Sequence, residues 1–315
     1  MSTALVVAID IGATKTLLSV RDVDELASGW QREQDLTRAA SHDEPNDLVA
    51  WVAGEVERRL ERHGGRVVAV GAAAPGPLDA TRGVITRSSN LGWADVPIAA
   101  MLSERLGAPV ALEDDANTAA LGEWHFGAGA GADPMGYLTV SSGIGGGLVV
   151  GGQVVRGVDG NAGEVGHIQV HPDGPRCACG RRGDVESYAG GSSLARRARQ
   201  AWPGRAAVDG SPAPRTPGEV FRAARRADRT ARRLVDDATV ALSVSLAAMA
   251  SVVEPAVVVV GGSIGLGQPA LIRRATSMAR KRVMRENGAS LRVVPAALGQ
   301  ESVLAGAADL ALRLS

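Results

Sequence analysis

The chain is poor in cysteine, in lysine and in net charge. Its two cysteines, Cys177 and Cys179, are separated by one residue. So close a pair cannot staple a fold, which excludes a disulfide framework and points to a reducing, cytoplasmic setting. The 34 basic residues balance 34 acidic ones, so no global field draws the protein to nucleic acid or to a membrane surface. The apolar run Ala4–Ile9 has no basic segment before it and is too short for a signal peptide or a span. No other uninterrupted apolar stretch is long enough. Only two basic residues are lysine, Lys15 and Lys281. A coding bias toward arginine accounts for most of that, yet a lysine kept in a glycine-rich turn is a candidate for chemistry.

Glycine is abundant, with 40 residues in a chain of 315. The glycines cluster in turns between apolar runs, as in an α/β enzyme whose loops approach a ligand. Strands are expected at Ala4–Ile9 and Thr16–Val20, around a tight turn at Asp10–Lys15, and again at Val67–Gly71 and Pro109–Leu112. Helices are expected at Asn46–His63, Ile98–Leu106 and Ala116–Trp124. A second cycle starts with the strand Gly136–Val140, the glycine turn Ser141–Gly147 and the strand Leu148–Val150. Two such strand–turn–strand units point to an ancient duplication, and no short-period repeat is present. Pro203–Pro217 reads as an exposed loop. Helices at Gly218–Ala227 and Thr230–Val253 follow, then the β-branched strand Ala256–Val260 and a last helix at Ser302–Leu314.

Three turns have the character of phosphate loops. Asp10-Ile11-Gly12-Ala13-Thr14-Lys15 offers backbone amides and a hydroxyl, with Asp10 placed to hold a hydrated Mg²⁺. It is neither a Walker loop nor a dinucleotide fingerprint, and alone it could be an ordinary hairpin. Ser141-Ser142-Gly143-Ile144-Gly145-Gly146-Gly147 repeats the context. Gly261-Gly262-Ser263 follows a buried strand and precedes a helix, where a nucleotide could lie on bare backbone. In this order the three point to a nucleotide between two lobes.

Glu113-Asp114-Asp115 ends a strand and begins a helix. Phosphoryl transfer to an alcohol needs one oriented carboxylate at the attacking hydroxyl. A helix start also wants an N-cap, so one aspartate can cap while its neighbour is catalytic. The stretch Asn161–Glu186 gathers both cysteines, His167 and His171, and Glu164 and Glu186 among glycines. Close Cys and His suit a metal site, and carboxylates on glycine turns suit a hydroxylated ligand.

These segments together resemble the ROK family of bacterial sugar kinases and repressors, which share the two-lobed actin-like (ribonuclease H-like) ATPase fold. The resemblance covers nearly the whole chain. It is carried by Asp10–Lys15, Gly71-Ala-Ala-Ala-Pro75-Gly76, Asn90-Leu-Gly-Trp93, Asp115-Ala-Asn117 and Ala119-Ala-Leu-Gly122-Glu123. It continues through Ser142-Gly-Ile-Gly-Gly-Gly147, Gly163-Glu-Val-Gly-His167, Cys177-Ala-Cys179-Gly180 and Pro295-Ala-Ala-Leu-Gly299.

The resemblance implies an α/β chain with its active site in the interlobe cleft, divided as 1–115 plus 302–315 and 116–301. Asp115 is the general base it implies, and Asn90, Asp114, Glu164, His167 and Glu186 accompany it as sugar ligands. Asp10, Gly12, Thr14 and Lys15 form the first phosphate loop, Ser142, Gly143 and Gly145 the second, and Gly261 and Gly262 part of the adenosine pocket. ATP, Mg²⁺ and a structural zinc on His167, Cys177, Cys179 and Asp184 complete the set, in a homodimer or tetramer.

Four departures from the family pattern stand out: Ala13 for glycine, Ser141-Ser142 for Gly-Thr, Asp114 for asparagine and Asp184 for the third zinc cysteine. A hard oxygen weakens a site built for sulfur, and Asp114 alters which hydroxyl or amino group is favoured.

Glu164 favours a glucose-like pattern over N-acetylmannosamine. Glucose is therefore the first expectation, with fructose, allose, an N-acetylhexosamine or a cyclitol as alternatives. A non-catalytic sugar sensor is the rival of another class. The core starts at Ala4, which leaves no room before it for a DNA-binding domain. The Arg196–Arg233 stretch is diluted by acids and short of stacking aromatics, so it reads as a solvated helical face, with a polyphosphate donor a minor alternative.

Overall fold

The computed structural model describes residues 3–32, 36–40, 44–88, 90–202, 206–207 and 210–315. Pro203 and Gly204 of the expected loop lie outside these. The chain forms two compact units: Met1–Gly131 with Gly147–Ala162 and Ala297–Ser315, and Ala132–Gly146 with Gly163–Ala296.

In the first unit, β1 (Ala4–Ile11), β2 (Lys15–Asp22), β3 (Leu36–Ala40) and β4 (Arg66–Ala74) precede a small sheet. That sheet consists of β5 (Leu78–Asp79), β6 (Val84–Ser88) and β7 (Trp93–Val96), and β8 (Val110–Asp114) follows it. The main sheet has the order β3-β2-β1-β4-β8. Strand β1 is apolar from Ala4 to Ile9 because both of its faces are covered. Leu5, Val7, Ile9 and Ile11 face one core with Leu48, Val52, Ile98 and Leu102 of the Pro45–His63 and Ile98–Leu106 helices. Val6 and Ala8 face another core, with Leu304, Ala307 and Ala311 of the Ser302–Leu312 helix.

That last helix sits directly on the strands because glycines admit it. A Cβ on Gly71 would lie 1.8 Å from the Ala307 carbonyl oxygen, and one on Gly306 would lie 1.7 Å from that of Thr118. The Asp115–Phe126 helix therefore belongs to this unit, although the expected division placed it beyond residue 115. Glu123, fully buried, reinforces the attachment. It accepts hydrogen bonds from the amides of Ala128, Ala297 and Leu298 and from the Ser302 hydroxyl. The unit boundary accordingly falls at Ala297 instead of Ser302.

Strands β9 (Met135–Val140), β10 (Ile144–Val150), β11 (Gln153–Val154), β12 (Val257–Gly261) and β13 (Val293–Pro295) make a second sheet in the order β11-β10-β9-β12-β13. Its order repeats that of the first. Strand resumes at Ile144, so Gly145, Gly146 and Gly147, expected in a turn, are strand residues. Glycine is there because of packing: a Cβ on Gly146 would meet Val165 Cγ2 at 2.6 Å and the Gly163 carbonyl oxygen at 2.7 Å.

The Arg229–Val252 helix carries the core of the second unit, with Leu234, Leu242 and Leu246 buried among Val258, Val260 and Leu271. It is long and apolar enough to cross a membrane by length and composition, but half of its most apolar window is buried inside the protein. That is the position of a core helix.

Candidate functional site

In the first unit the expected residues gather at the carboxyl ends of parallel strands, where open α/β sheets bind ligands. Asp10 of β1 is level with Ala73 of β4, which is level with Glu113 of β8. Two strand spacings, about 10 Å, separate the outer pair. The β1–β2 turn is closed by the Gly12 amide donating to the Lys15 carbonyl at 3.0 Å. A Cβ on Gly12 would lie 2.6 Å from that oxygen, so the turn accepts no side chain there. Ala13 and Thr14 at its tip are exposed. Burial pushes the Asp10 carboxyl up to about 6, against the opposing pull of Lys15.

The three consecutive carboxylates have three different surroundings. Glu113 is 2% exposed and accepts from Arg156 Nε at 2.6 Å, from the Asn117 side-chain amide at 3.2 Å and from the Asp114 amide at 3.0 Å. Asp114 is the N-cap: its Oδ1 accepts from the Ala116 amide at 2.9 Å and from that of Asn117 at 3.4 Å. Burial raises the Asp114 carboxyl, the two capping amides oppose that rise, and Glu113 adds to it. Asp115 is the first residue of the helix and is exposed. One carboxylate is thus neutralised, one caps, and one is presented. Asn90 lies, exposed, in the turn closed by the Leu91 and Gly92 amides on the Ser88 carbonyl.

In the second unit the loop after β9 and the end of β12 lie side by side, since Gly261 is level with Thr139. Ser141 and Ser142 line a cavity of about 440 Å³ with Gly191, Pro217, Ser263 and Gln268. The last four were not singled out as site residues. Ser263 closes the turn Gly261-Gly262-Ser263, and the Gly190-Gly191 pair is the other signal in the sequence. Gly261 and Gly262 do not line this cavity, and their glycine character has a local cause. A Cβ on Gly261 would meet Tyr137 Oη at 2.1 Å, and Gly262 has φ +82° with the Val140 carbonyl oxygen 2.4 Å from its would-be Cβ.

Glu164, His167 and the cysteines converge as the Asn161–Glu186 stretch anticipated. His167 Nε2 lies 3.9 Å from Glu164 Oε2, and its Nδ1 lies 3.1 Å from Asp184 Oδ2. Cys179 Sγ is 3.5 Å from the same Asp184 oxygen, and Cys177 Sγ is 3.8 Å from His167 Nδ1. One donor atom from each of His167, Cys177, Cys179 and Asp184 falls within 4.8 Å of the others. Two thiolates, an imidazole and a carboxylate form a donor set that a tetrahedral divalent ion accepts.

Asp184 does more than join this cluster. Its Oδ1 accepts from the Ser187 amide at 2.8 Å and caps the Val185–Ala189 helix. Burial pushes the Asp184 carboxyl up, but hydrogen bonds from Cys177, His167 and Ser187 outweigh it and hold the group below the ordinary carboxylate range. Burial, reinforced by Asp184, pushes the Cys177 thiol well up in the metal-free protein. Glu186, on the capped helix, turns one oxygen to the Ile144 amide at 3.0 Å.

Strand-end carboxylates beside one glycine turn and strand-end hydroxyls beside another are the parts a phosphoryl-transfer protein needs. The ROK family model matches residues 6–314, and the chain belongs to that family. It is similar to the ROK hexokinase from Thermus thermophilus, with 36% identity, TM-score 0.82 and coverage of 98% of this chain and 97% of that one. It is also similar to a ROK glucokinase from Streptomyces griseus solved with glucose and AMPPNP, with 33% identity, TM-score 0.77 and coverage of 98% and 99%. A kanosamine kinase of Amycolatopsis mediterranei is 34% identical over 312 residues, covering 99% of this chain and 97% of that protein. The actin-like ATPase fold expected from the sequence is the fold of these kinases.

Proposed function

We propose that the protein transfers the γ-phosphoryl group of ATP to a hydroxyl of a hexose or hexose-like sugar, with glucose the first candidate. The observation that carries the reading is the separation of roles at 113–115. Glu113 is ion-paired, Asp114 caps the helix, and Asp115 is exposed at the helix start beside the strand ends that also carry Asp10. In this reading Asp115 takes the hydroxyl proton while the oxygen bonds to the γ-phosphorus, the bond to ADP breaks and ADP leaves. Asn90, Asp114, Glu164, His167 and Glu186 orient the sugar. The Gly12–Lys15 turn and the Ser142–Gly145 segment hold the phosphates, and the 440 Å³ cavity takes the nucleoside. The similarity to a glucokinase solved with glucose and AMPPNP supports both substrates.

Asp10, half-buried with the Lys15 charge acting on it, fits a divalent cation. Bound there, Mg²⁺ supplies neutralisation of phosphate charge. The His167, Cys177, Cys179 and Asp184 set fits zinc, whose chemistry here is structural bracing of the loop. A homodimer or tetramer in the cytoplasm completes the proposal, and the mass of the purified protein in solution tests its oligomeric part.

Release of ADP against a panel of hexoses, amino sugars and cyclitols tests the reading. Turnover with at least one and its loss in Asp115→Ala, with sugar binding kept, is the expected result. Measurable sugar binding without turnover of any of them would favour a sensor. Asp114 supports a panel that includes amino sugars, because an acceptor-only carboxylate next to the base suits a donating group.

A further inference from the structure

We infer that Glu186 positions the second phosphate loop, so that one carboxylate serves both the acceptor and the donor side of the second unit. The inference rests on the kinase reading and assigns Glu186 a task beyond holding a sugar.

The geometry is specific. The Ile144 amide, where the loop re-enters strand, donates to Glu186 Oε2 at 3.0 Å. A Cβ on Gly143 would lie 2.7 Å from that same oxygen, so the loop is pressed onto the carboxylate and glycine leaves the room for it. The other oxygen, Oε1, faces the Cys177 thiol at 3.6 Å. The chain then turns at Gly190, whose amide donates to the Glu186 carbonyl at 2.9 Å. The amides of Gly191 and Ser192 donate to the carbonyls of Ser141 and Ser142 at 2.8 and 2.9 Å.

The loop is therefore clamped at both ends by one short segment. Backbone amides grip Ser141 and Ser142, and a carboxylate grips Ile144. Only the carboxylate end depends on a side chain. An amide bonded to an ionised acceptor is worth about twice a neutral pair, and its loss frees the stretch that turns the Gly143 and Ile144 amides. Asp184 caps the helix that carries Glu186, so the Cys–His–Asp cluster and the phosphate loop are joined through a helix of five residues. Glu186 acts here through the loop and is a positioning residue.

The test is calorimetric binding of Mg-AMPPNP without sugar and with saturating glucose, to the wild type, Glu186→Ala, Glu186→Gln and Gly143→Ala. Glu186→Ala should weaken AMPPNP about tenfold with no sugar present, the size of one hydrogen bond to a charged acceptor. Glu186→Gln keeps an oxygen that accepts the Ile144 amide but not its charge, and should fall between the wild type and Glu186→Ala. Gly143→Ala pushes the intact carboxylate away and should resemble Glu186→Ala, which keeps the test alive if the latter misfolds. Unchanged AMPPNP affinity in Glu186→Ala or Gly143→Ala overturns the inference, and so does a Gln variant as weak as Ala. A wild-type protein that binds no AMPPNP would refute the kinase reading as well, an outcome distinct from those.

Discussion

Arg156 Nε donates to Glu113 Oε2 at 2.6 Å, joining a side chain 40% exposed to one 2% exposed across 43 residues of sequence. The pair gives one of three adjacent carboxylates a cationic partner at the helix start. Removing Arg156 leaves Glu113 buried without its cation. Arg156→Leu should therefore cost about 2 kcal/mol of stability, below the 3–5 of a fully buried pair because Arg156 is part-exposed. A double-mutant cycle with Glu113→Gln, followed by urea denaturation, measures the coupling, and additive effects would show that the pair is not what steadies the site.

Asp10 gives a pH prediction with opposite signs for activity and stability. Its carboxyl, raised by burial to about 6, is ionised at pH 7.5 and mostly protonated at pH 5. If ionised Asp10 holds the divalent cation, the Mg²⁺ requirement should rise steeply below pH 6 and be flat above 7. A raised pKa also means that the folded state favours the protonated form. The stabilisation is present below the unfolded value and is lost as pH rises through 6. Asp10→Asn should thus be the more stable protein at pH 7.5, by about 3 kcal/mol, and close to wild type near pH 4, while losing turnover at both. Thermal melts across pH check the first part and Mg²⁺ titrations of the rate check the second.

Gly306→Ala sets helix propensity against packing. Alanine favours a helix by about 1 kcal/mol, but its methyl would lie 1.7 Å from the Thr118 carbonyl oxygen, which is backbone and cannot swing aside. Overpacking should win, at a net cost of about 3 kcal/mol. Gly267→Ala is the control, since nothing lies within 4 Å of its would-be Cβ, and it should be neutral or slightly stabilising. Chemical denaturation of both distinguishes close approach from a general intolerance of alanine.

Asp184→Cys separates the two duties of this side chain. A thiolate in place of a carboxylate suits zinc better, and the affinity should rise about tenfold or more in competition with a chromophoric chelator. The metal-free variant loses the cap on Ser187 and should be less stable by about 1 kcal/mol. Tighter zinc with unchanged apo stability would mean that the cap is not formed in solution.

Much of the site was readable because its signals are local. The Asp10–Lys15 turn between apolar strands, the amphipathic helix ending at His63 and the Cys–His run each declare themselves within a few residues. That one aspartate caps while its neighbour is presented followed from position at a helix start; which of the two caps did not, and is given by the Asp114 hydrogen bonds. The misread Ile144–Gly147 segment shows the limit: glycine signals a turn unless a neighbour excludes every side chain, and Val165, which does so at Gly146, lies 19 positions on. Arg156 beneath Glu113 and Glu186 beneath Ile144 escaped for the same reason, since each partner is brought in by the fold from more than 40 residues away.

The repeated strand order of the two sheets has a consequence for how such a chain could have arisen. A copied segment begins with two identical ligand edges, and only divergence makes them useful together. The first edge carries acid, with Asp10 next to last in β1, while the second has Thr139 next to last in β9 and Ser141 and Ser142 just beyond it. Strand-end acid thereby belongs to one descendant of the pair, and in the other the acid beside the loop is Glu186, supplied by a helix instead of a strand.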